Sequence, residues 1–217
     1  MDDLLLPLFP LEAVLLPEEP LSLHIFEERY KLMVRECLQA KSAGTGQQEF
    51  GVILAREQEV QTVGCTARII NLTRKYPDGR MDIFTVGSRR FEVLYTNEEK
   101  AYVRGGAEFF DDDPDADLPD EDEAQDAIEL FRQAVQRIHK STDVPIHIPR
   151  PYRHLSFRIA ASLPLELDFK QQLLSLRNEP ERLRRVTRAI GHLITQSDFV
   201  QKARSKAGGN GDIHPQG

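Results

Sequence analysis

The chain has no tryptophan, only two cysteines and three methionines among its 217 residues. Cys37 and Cys65 are too few for the disulfide framework of a small secreted domain, and nothing near either has metal-ligand spacing. They read as two buried reduced thiols, with a disulfide as the alternative. Long apolar runs are also missing: no stretch approaches the ~20 residues a membrane-crossing helix needs. The apolar opening, MDDLLLPLFPLEAVLLPEEP, starts with Asp2 and Asp3 and is broken by Pro7, Pro10, Pro17 and Pro20. A secretory signal has a basic start and an unbroken apolar run. A cytoplasmic protein without a membrane partner is therefore expected.

Motifs for chemistry are equally sparse. Gly44-Thr45-Gly46 runs into glutamines and Gly208-Gly209-Asn210-Gly211 into aspartate, so neither has the glycine spacing and lysine of a phosphate-cradling loop. No G-x-S-x-G elbow occurs. The six histidines (His24, His139, His147, His154, His192 and His214) show no HExxH and no paired helical spacing, so no metal and no cofactor is expected. His24, in an apolar context, reads as a core imidazole bonded to a backbone carbonyl. No catalytic residue is assigned, and the chain is not expected to be an enzyme.

What the sequence does contain is a sharply uneven charge distribution. Residues 1–110 carry 13 basic and 17 acidic side chains, residues 111–126 carry ten acids and no base, and residues 127–217 carry 15 basic and 8 acidic groups. The acidic run, DDDPDADLPDEDEAQD, lacks the glycine and terminal glutamate of a calcium loop and reads as a solvated linker. Before it, strand-like segments recur at 4–9, 50–55, 64–73, 80–86, 89–96 and 102–110, rich in β-branched and aromatic residues. Tyr76-Pro77-Asp78-Gly79 forms a hairpin turn, and Gly87-Ser88 is read as a second separator. One helix interrupts the strands at 26–41, with Phe26, Tyr30, Met33, Cys37 and Leu38 at helical spacing. A flexible connection, 42–48, follows it.

After the acidic run the period becomes helical: 121–140, 155–163, a helix opened by an apparent capping box at Asp168–Gln171, and a last helix from Asn178-Glu179-Pro180-Glu181 to about Arg204. Three prolines make 144–151 an extended connector. The expected division is a β-rich module over 1–112, a helical bundle over 113–205 and a disordered tail over 206–217. The arginines Arg182, Arg184, Arg185 and Arg188, with Arg153 and Arg158, form a basic cluster that RNA would favour. No aromatics interleave with it and the chain is acidic overall, with pI near 5.4. Nucleic acid is thus disfavoured and a solvated helix face preferred.

Several segments, taken in order, resemble one family. Leu6-Pro7-Leu8-Phe9-Pro10-Leu11 with Val14-Leu15-Leu16-Pro17 is similar to the opening strand pair of the substrate-binding domain of Lon-type proteases. His24-Ile25-Phe26-Glu27-Glu28-Arg29-Tyr30 is similar to the HIFExRY segment of that family. Phe50-Gly51-Val52-Ile53, Val63-Gly64-Cys65-Thr66-Ala67-Arg68-Ile69, Pro77-Asp78-Gly79-Arg80 and Gly87-Ser88-Arg89-Arg90-Phe91-Glu92-Val93 follow in the family's order. The resemblance implies an α+β fold, a PUA-like β pseudo-barrel with one inserted helix followed by a C-terminal helical bundle. It also implies recognition of unfolded or tagged polypeptides, with a protease or its substrates as partners. Lon proteases carry ATPase and Ser–Lys protease domains as well; the motifs found here match neither, so a non-catalytic adaptor in protein quality control is expected. The candidate binding residues are Leu8, Phe9, Glu27, Arg29, Tyr30 and Met33. Leu8, Phe9 and Met33 are expected to be exposed and adhesive, while Glu27, Arg29 and Tyr30 either tie the helix to the strands or form a polar rim. A PUA-like RNA-binding regulator is the alternative, and a small-molecule pocket between the two parts a third reading.

Overall fold

The structure, a computed structural model, describes residues 5–44, 48–57, 59–139 and 152–208, with side chains described for the same residues except 139 and 197–208. The start of the first strand at Leu4, the 144–151 connector and the tail beyond 208 fall outside these residues. The elements run β1 (Leu6–Leu11), β2 (Pro20–Ile25), α1 (Glu28–Ala43), β3 (Glu49–Arg56), β4 (Glu59–Lys75), β5 (Met81–Asn97), β6 (Arg104–Phe110), α2 (Glu121–His139), α3 (Leu155–Ala161), α4 (Leu167–Ser175) and α5 (Glu179–Gly208). This is an α+β fold with one mixed sheet.

The sheet order is β2-β5-β4-β3-β1-β6, and β6 also pairs with β5, so the run from β5 through β4, β3, β1 and β6 returns to β5. Among the described strands only β1 and β3 pair in parallel, with Leu8 opposite Gly51. A cluster of Leu6, Leu8, Ile53 and Phe91 forms part of the core, with Val93, Val103 and Ala107 against it. The two glycines of this region answer to Phe91: a Cβ on Gly51 would lie 2.4 Å, and one on Gly64 2.7 Å, from the tip of its ring. Both must therefore lack a side chain for Phe91 to be buried.

Two strand readings are corrected. Gly87-Ser88 does not separate two strands, because β5 runs through it unbroken for 17 residues. Gly87 is required instead by packing: a Cβ there would sit 2.0 Å from the Leu16 carbonyl oxygen. The turn at Gly79, with φ of 83°, is as the sequence indicates. The second correction is His24, which is half-exposed on β2 and bonds the Asp82 carboxylate at 2.5 Å rather than a core carbonyl.

Two lysines of helix α1 reach main-chain carbonyls outside it. Lys41 donates to the Ile69 carbonyl of β4 at 2.5 Å and Lys31 to the Asp78 carbonyl of the turn before β5 at 3.3 Å, satisfying main-chain acceptors. The helix continues to Ala43 and is closed by Gly44 in the left-handed conformation, so 42–44 belong to the helix and its cap rather than to a connection.

By internal contacts the chain forms two units, residues 1–116 with 160–178, and residues 117–159 with 179–217. In the first unit α4 accompanies the sheet, although the sequence groups it with the other helices. Lys170 pairs with Glu19 at 2.7 Å, Gln171 donates to the Val63 carbonyl at 2.9 Å, and Arg90, almost fully buried, donates to the Leu174 and Leu176 carbonyls that end the helix. Asp168 does not cap α4: the helix has no side-chain cap, and the Asp168 carboxylate accepts from Arg56 at 2.7 Å. The acidic run is not simply solvated either, because Asp112 pairs with Arg90 at 2.6 Å.

In the second unit, α2 and α5 pack through Ala124, Ile128, Phe131 and Val135 on one side and Leu183, Val186 and Ile190 on the other, all buried. Ile138, which continues the same helical stripe of α2, is exposed.

Candidate functional site

The residues proposed for binding divide sharply by burial. Leu8 and Met33 are fully buried, and Phe9 and Tyr30 nearly so. This overturns the expectation of an exposed, adhesive Leu8, Phe9 and Met33. The reason is geometric: β1 is flanked by β3 and β6, and α1 turns Tyr30 and Met33 inward. Tyr30 meets Phe9 edge-on with 4.2 Å between ring centroids, and Phe9 meets Phe50 at 5.8 Å. Of the two roles open to Tyr30, it fills the structural one. Burial raises its hydroxyl above the ordinary tyrosine value.

Glu27 and Arg29 stay at the surface and pair with each other, Nε to carboxylate 2.9 Å, while the Arg29 guanidinium covers the outer face of the Tyr30 ring at 4.5 Å.

What the start of α1 does expose is Phe26, 61% accessible. The sequence reading placed it on the buried helical stripe, but the helix begins at Glu28 with Glu27 as its cap, leaving Phe26 one position outside. An apolar residue just before a helix cap normally packs on the residue four into the helix. That position is Lys31, whose ammonium is committed to Glu28 at 2.8 Å and to the Asp78 carbonyl. Phe26 is thus left without its usual intrahelical partner, and this signal was available in the sequence.

Around Phe26 stands a small aromatic surface. His24 stacks toward it with centroids 6.1 Å apart, and Tyr76 meets His24 edge-on at 5.7 Å. Arg74 and Arg80 lie over the Tyr76 ring at 4.6 and 5.0 Å. Asp82 organises the group, accepting from His24 and from the Tyr76 hydroxyl, the latter at 2.8 Å. The hydrogen bond from His24, with that from Tyr76, holds the Asp82 carboxyl below the ordinary aspartate value. Most rim charges are answered internally, since Arg80 pairs with Asp78 at 2.7 Å and Arg29 with Glu27. Such a surface offers an apolar ring within a neutralised polar rim, suited to side-chain contact and without a nucleophile or an activated base.

Arg182 of the basic cluster is fully buried and pairs with Glu179 at 2.5 Å; Arg184 and Arg185 both pair with Glu181, and Arg184 also lies 3.7 Å from Glu123. The cluster is therefore not an open cationic patch. Among the described residues no group of three His, Cys, Asp or Glu could hold a metal, and no helix is long and apolar enough to cross a membrane.

Residues 5–192 match the family model for the ATP-dependent protease La (LON) substrate-binding domain. The chain belongs to the Lon substrate-binding domain family. Its relatives include the Lon protease of Dictyoglomus thermophilum, 25% identical over 207 residues covering 93% of this chain and 26% of that protein. Lon protease 1 of Hydrogenovibrio crunogenus is 27% identical over 153 residues, 66% of this chain and 18% of the relative. The chain thus spans about a quarter or less of the length of these Lon proteases. Among solved structures, the Lon N-terminal domain protein from Xanthomonas campestris superposes with a TM-score of 0.63 at 27% identity, covering 84% of this chain and 96% of that one. The N-terminal domain of the Mycobacterium avium complex Lon protease has a TM-score of 0.61 at 16% identity over 86% and 98% of the two chains, a likeness of fold alone. The matched Lon domain is the one that binds substrate and is non-catalytic by itself.

Proposed function

We propose that this chain is a polypeptide-binding module that takes unfolded or tagged segments on the Phe26 face and acts as an adaptor in protein quality control. The family supports polypeptides as the ligand class. The observation that carries the placement is Phe26, a large ring held 61% accessible, with His24 stacked toward it and Tyr76 in turn against His24. Unfolded chains present apolar side chains that folded proteins hide, and one exposed ring with a polar rim gives weak, sequence-tolerant contact. The buried candidates Leu8, Phe9, Tyr30 and Met33 serve by holding this face in place, and Glu27 and Arg29 form part of its rim.

The closed run of pairings among β5, β4, β3, β1 and β6 supports reading the sheet as a PUA-like pseudo-barrel with α1 inserted. A cytoplasmic location and a protease among the partners complete the proposal.

The test is binding of a chemically unfolded model polypeptide, followed by fluorescence anisotropy, to the wild type and to Phe26→Ser. Micromolar or weaker binding that drops at least fivefold in the variant supports the reading. Binding no greater than that of a folded control protein sinks it.

A further inference from the structure

The two longest strands separate at one end of the sheet. β4 and β5 pair from Lys75 opposite Met81 to Val63 opposite Glu92, and there their pairing stops. Beyond that point β4 keeps only β3, with Val60 opposite Ala55 and Glu59 opposite Arg56. β5 keeps only β6, with Val93 opposite Ala107 and Asn97 opposite Arg104. Residues 59–62 of β4 and 93–97 of β5 therefore each carry an edge that no described strand occupies, and both edges diverge from one root. Gln171 of α4 holds that root through the Val63 carbonyl. Bulges fall beside the fork on both sides, between Ile53 and Ala55 on the partner of β4 and between Val93 and Tyr95 on β5 itself.

The side chains along this fork have a defined character. Val60, Leu94 and Tyr95 are 53%, 62% and 51% accessible, a concentration of exposed apolar surface outside the Phe26 face. Residues 57–63 and 92–99 include five glutamates, Glu57, Glu59, Glu92, Glu98 and Glu99, and no basic residue. The flanking cations are already engaged: Arg56 with Asp168, Lys100 with Glu36, and Arg104 with Asn97 and with Glu99 itself, so that among the described residues Glu57, Glu59, Glu92 and Glu98 have no cationic partner. An unpaired strand edge calls for main-chain donors and acceptors, exposed Val, Leu and Tyr call for apolar side chains, and unanswered carboxylates call for cations.

We infer that an extended polypeptide segment of alternating basic and apolar residues adds as a strand in the fork between 59–62 of β4 and 93–97 of β5. Its main chain pairs with a strand edge, its apolar side chains lie on Val60, Leu94 and Tyr95, and its cations meet the glutamates. This rests on the reading of the module as a polypeptide binder and names a second site and a ligand class for it, apart from the Phe26 face.

The test uses the full chain and three fluorescein-labelled eight-residue peptides: alternating Lys and Val, alternating Glu and Val, and the Lys/Val peptide with alternate backbone amides N-methylated. The Lys/Val peptide is expected to bind and to slow hydrogen exchange at backbone amides within 59–62 and 93–97. N-methylation should weaken it at least tenfold, and the Glu/Val peptide should not bind. Val60→Lys combined with Leu94→Lys should remove Lys/Val binding while Phe26→Ser leaves it unchanged. Binding indifferent to N-methylation, or lost in Phe26→Ser but kept in the lysine variant, overturns the strand-addition site and leaves the Phe26 reading standing. Lys/Val binding at the fork without any binding of unfolded chains at Phe26 has the reverse effect.

Discussion

The rings of Phe9 and Tyr30 meet edge-on at 4.2 Å, and this contact fixes the first turn of α1 against β1. With the helix start held there, the chain enters from β2 through Phe26 and Glu27, and Phe26 has no place in the core. Phe9→Ala should cost about 3–5 kcal/mol of stability, as for large aromatic truncations in a packed core. Met33→Ala should cost about 2–5 kcal/mol for the same reason. Phe26→Ser, at an exposed position, should change stability by no more than about 0.5 kcal/mol. Urea denaturation of the three variants checks the ordering.

A second relationship stabilises the helical unit. The Glu179 carboxylate accepts from the Ser156 backbone N–H at 2.8 Å and its hydroxyl at 2.7 Å, while Arg182 donates to it and stacks on Phe157 at 4.3 Å. Glu179, Ser156 and Arg182 are all buried. Removing one partner of a buried pair strands the other charge, so Glu179→Ala should cost about 3–5 kcal/mol. Limited proteolysis within 117–208 should accelerate accordingly, and an unchanged cleavage rate would contradict the assignment.

The two thiols give a pH prediction. Burial, the largest cause in each, pushes both Cys37 and Cys65 up to about 12. The folded state therefore favours the protonated thiols, whereas unfolded thiols ionise near the ordinary value of 9.0. The resulting stability is complete below pH 9 and is lost progressively as pH rises from there toward 12. Thermal melting should show this alkaline decline. At neutral pH, a thiol-specific disulfide reagent should label neither cysteine until the protein unfolds.

Gly87 predicts a packing defect without any change of charge. A methyl group there would lie 2.0 Å from the Leu16 carbonyl oxygen, and that oxygen belongs to main chain with little room to move. Gly87→Ala should be destabilising by at least about 1–3 kcal/mol, the usual cost of forcing atoms into a packed site. Gly191→Ala, where nothing lies within 4 Å of the added methyl, should be neutral or mildly stabilising as a helical substitution.

Alternation and helical period made most elements legible before any coordinates. What they could not show was which side of an element meets the rest of the chain. Phe26 fits the period of α1 yet stands outside it, because the cap falls at Glu27 and Lys31 takes the position an apolar partner needs. Leu8 and Met33 look adhesive in isolation, and only the closure of β6 onto both β1 and β5 explains why Leu8 is enclosed. β2 was legible in principle, since Leu21, Leu23 and Ile25 alternate, but Pro20 at its start hides it. The fork depends on where two long strands cease to pair, a property of register between residues about thirty positions apart and invisible to local pattern. The same holds for Glu179, which reads as a helix-start residue and is in fact a buried ligand of Ser156.

The most direct measurement is the affinity of a permanently unfolded polypeptide for the full chain, compared with Phe26→Ser and with a folded control of the same net charge. The account predicts saturable, weak binding by the wild type, a drop of at least fivefold in the variant, and none for the control. Equal binding by wild type and variant, or none by either, would contradict it.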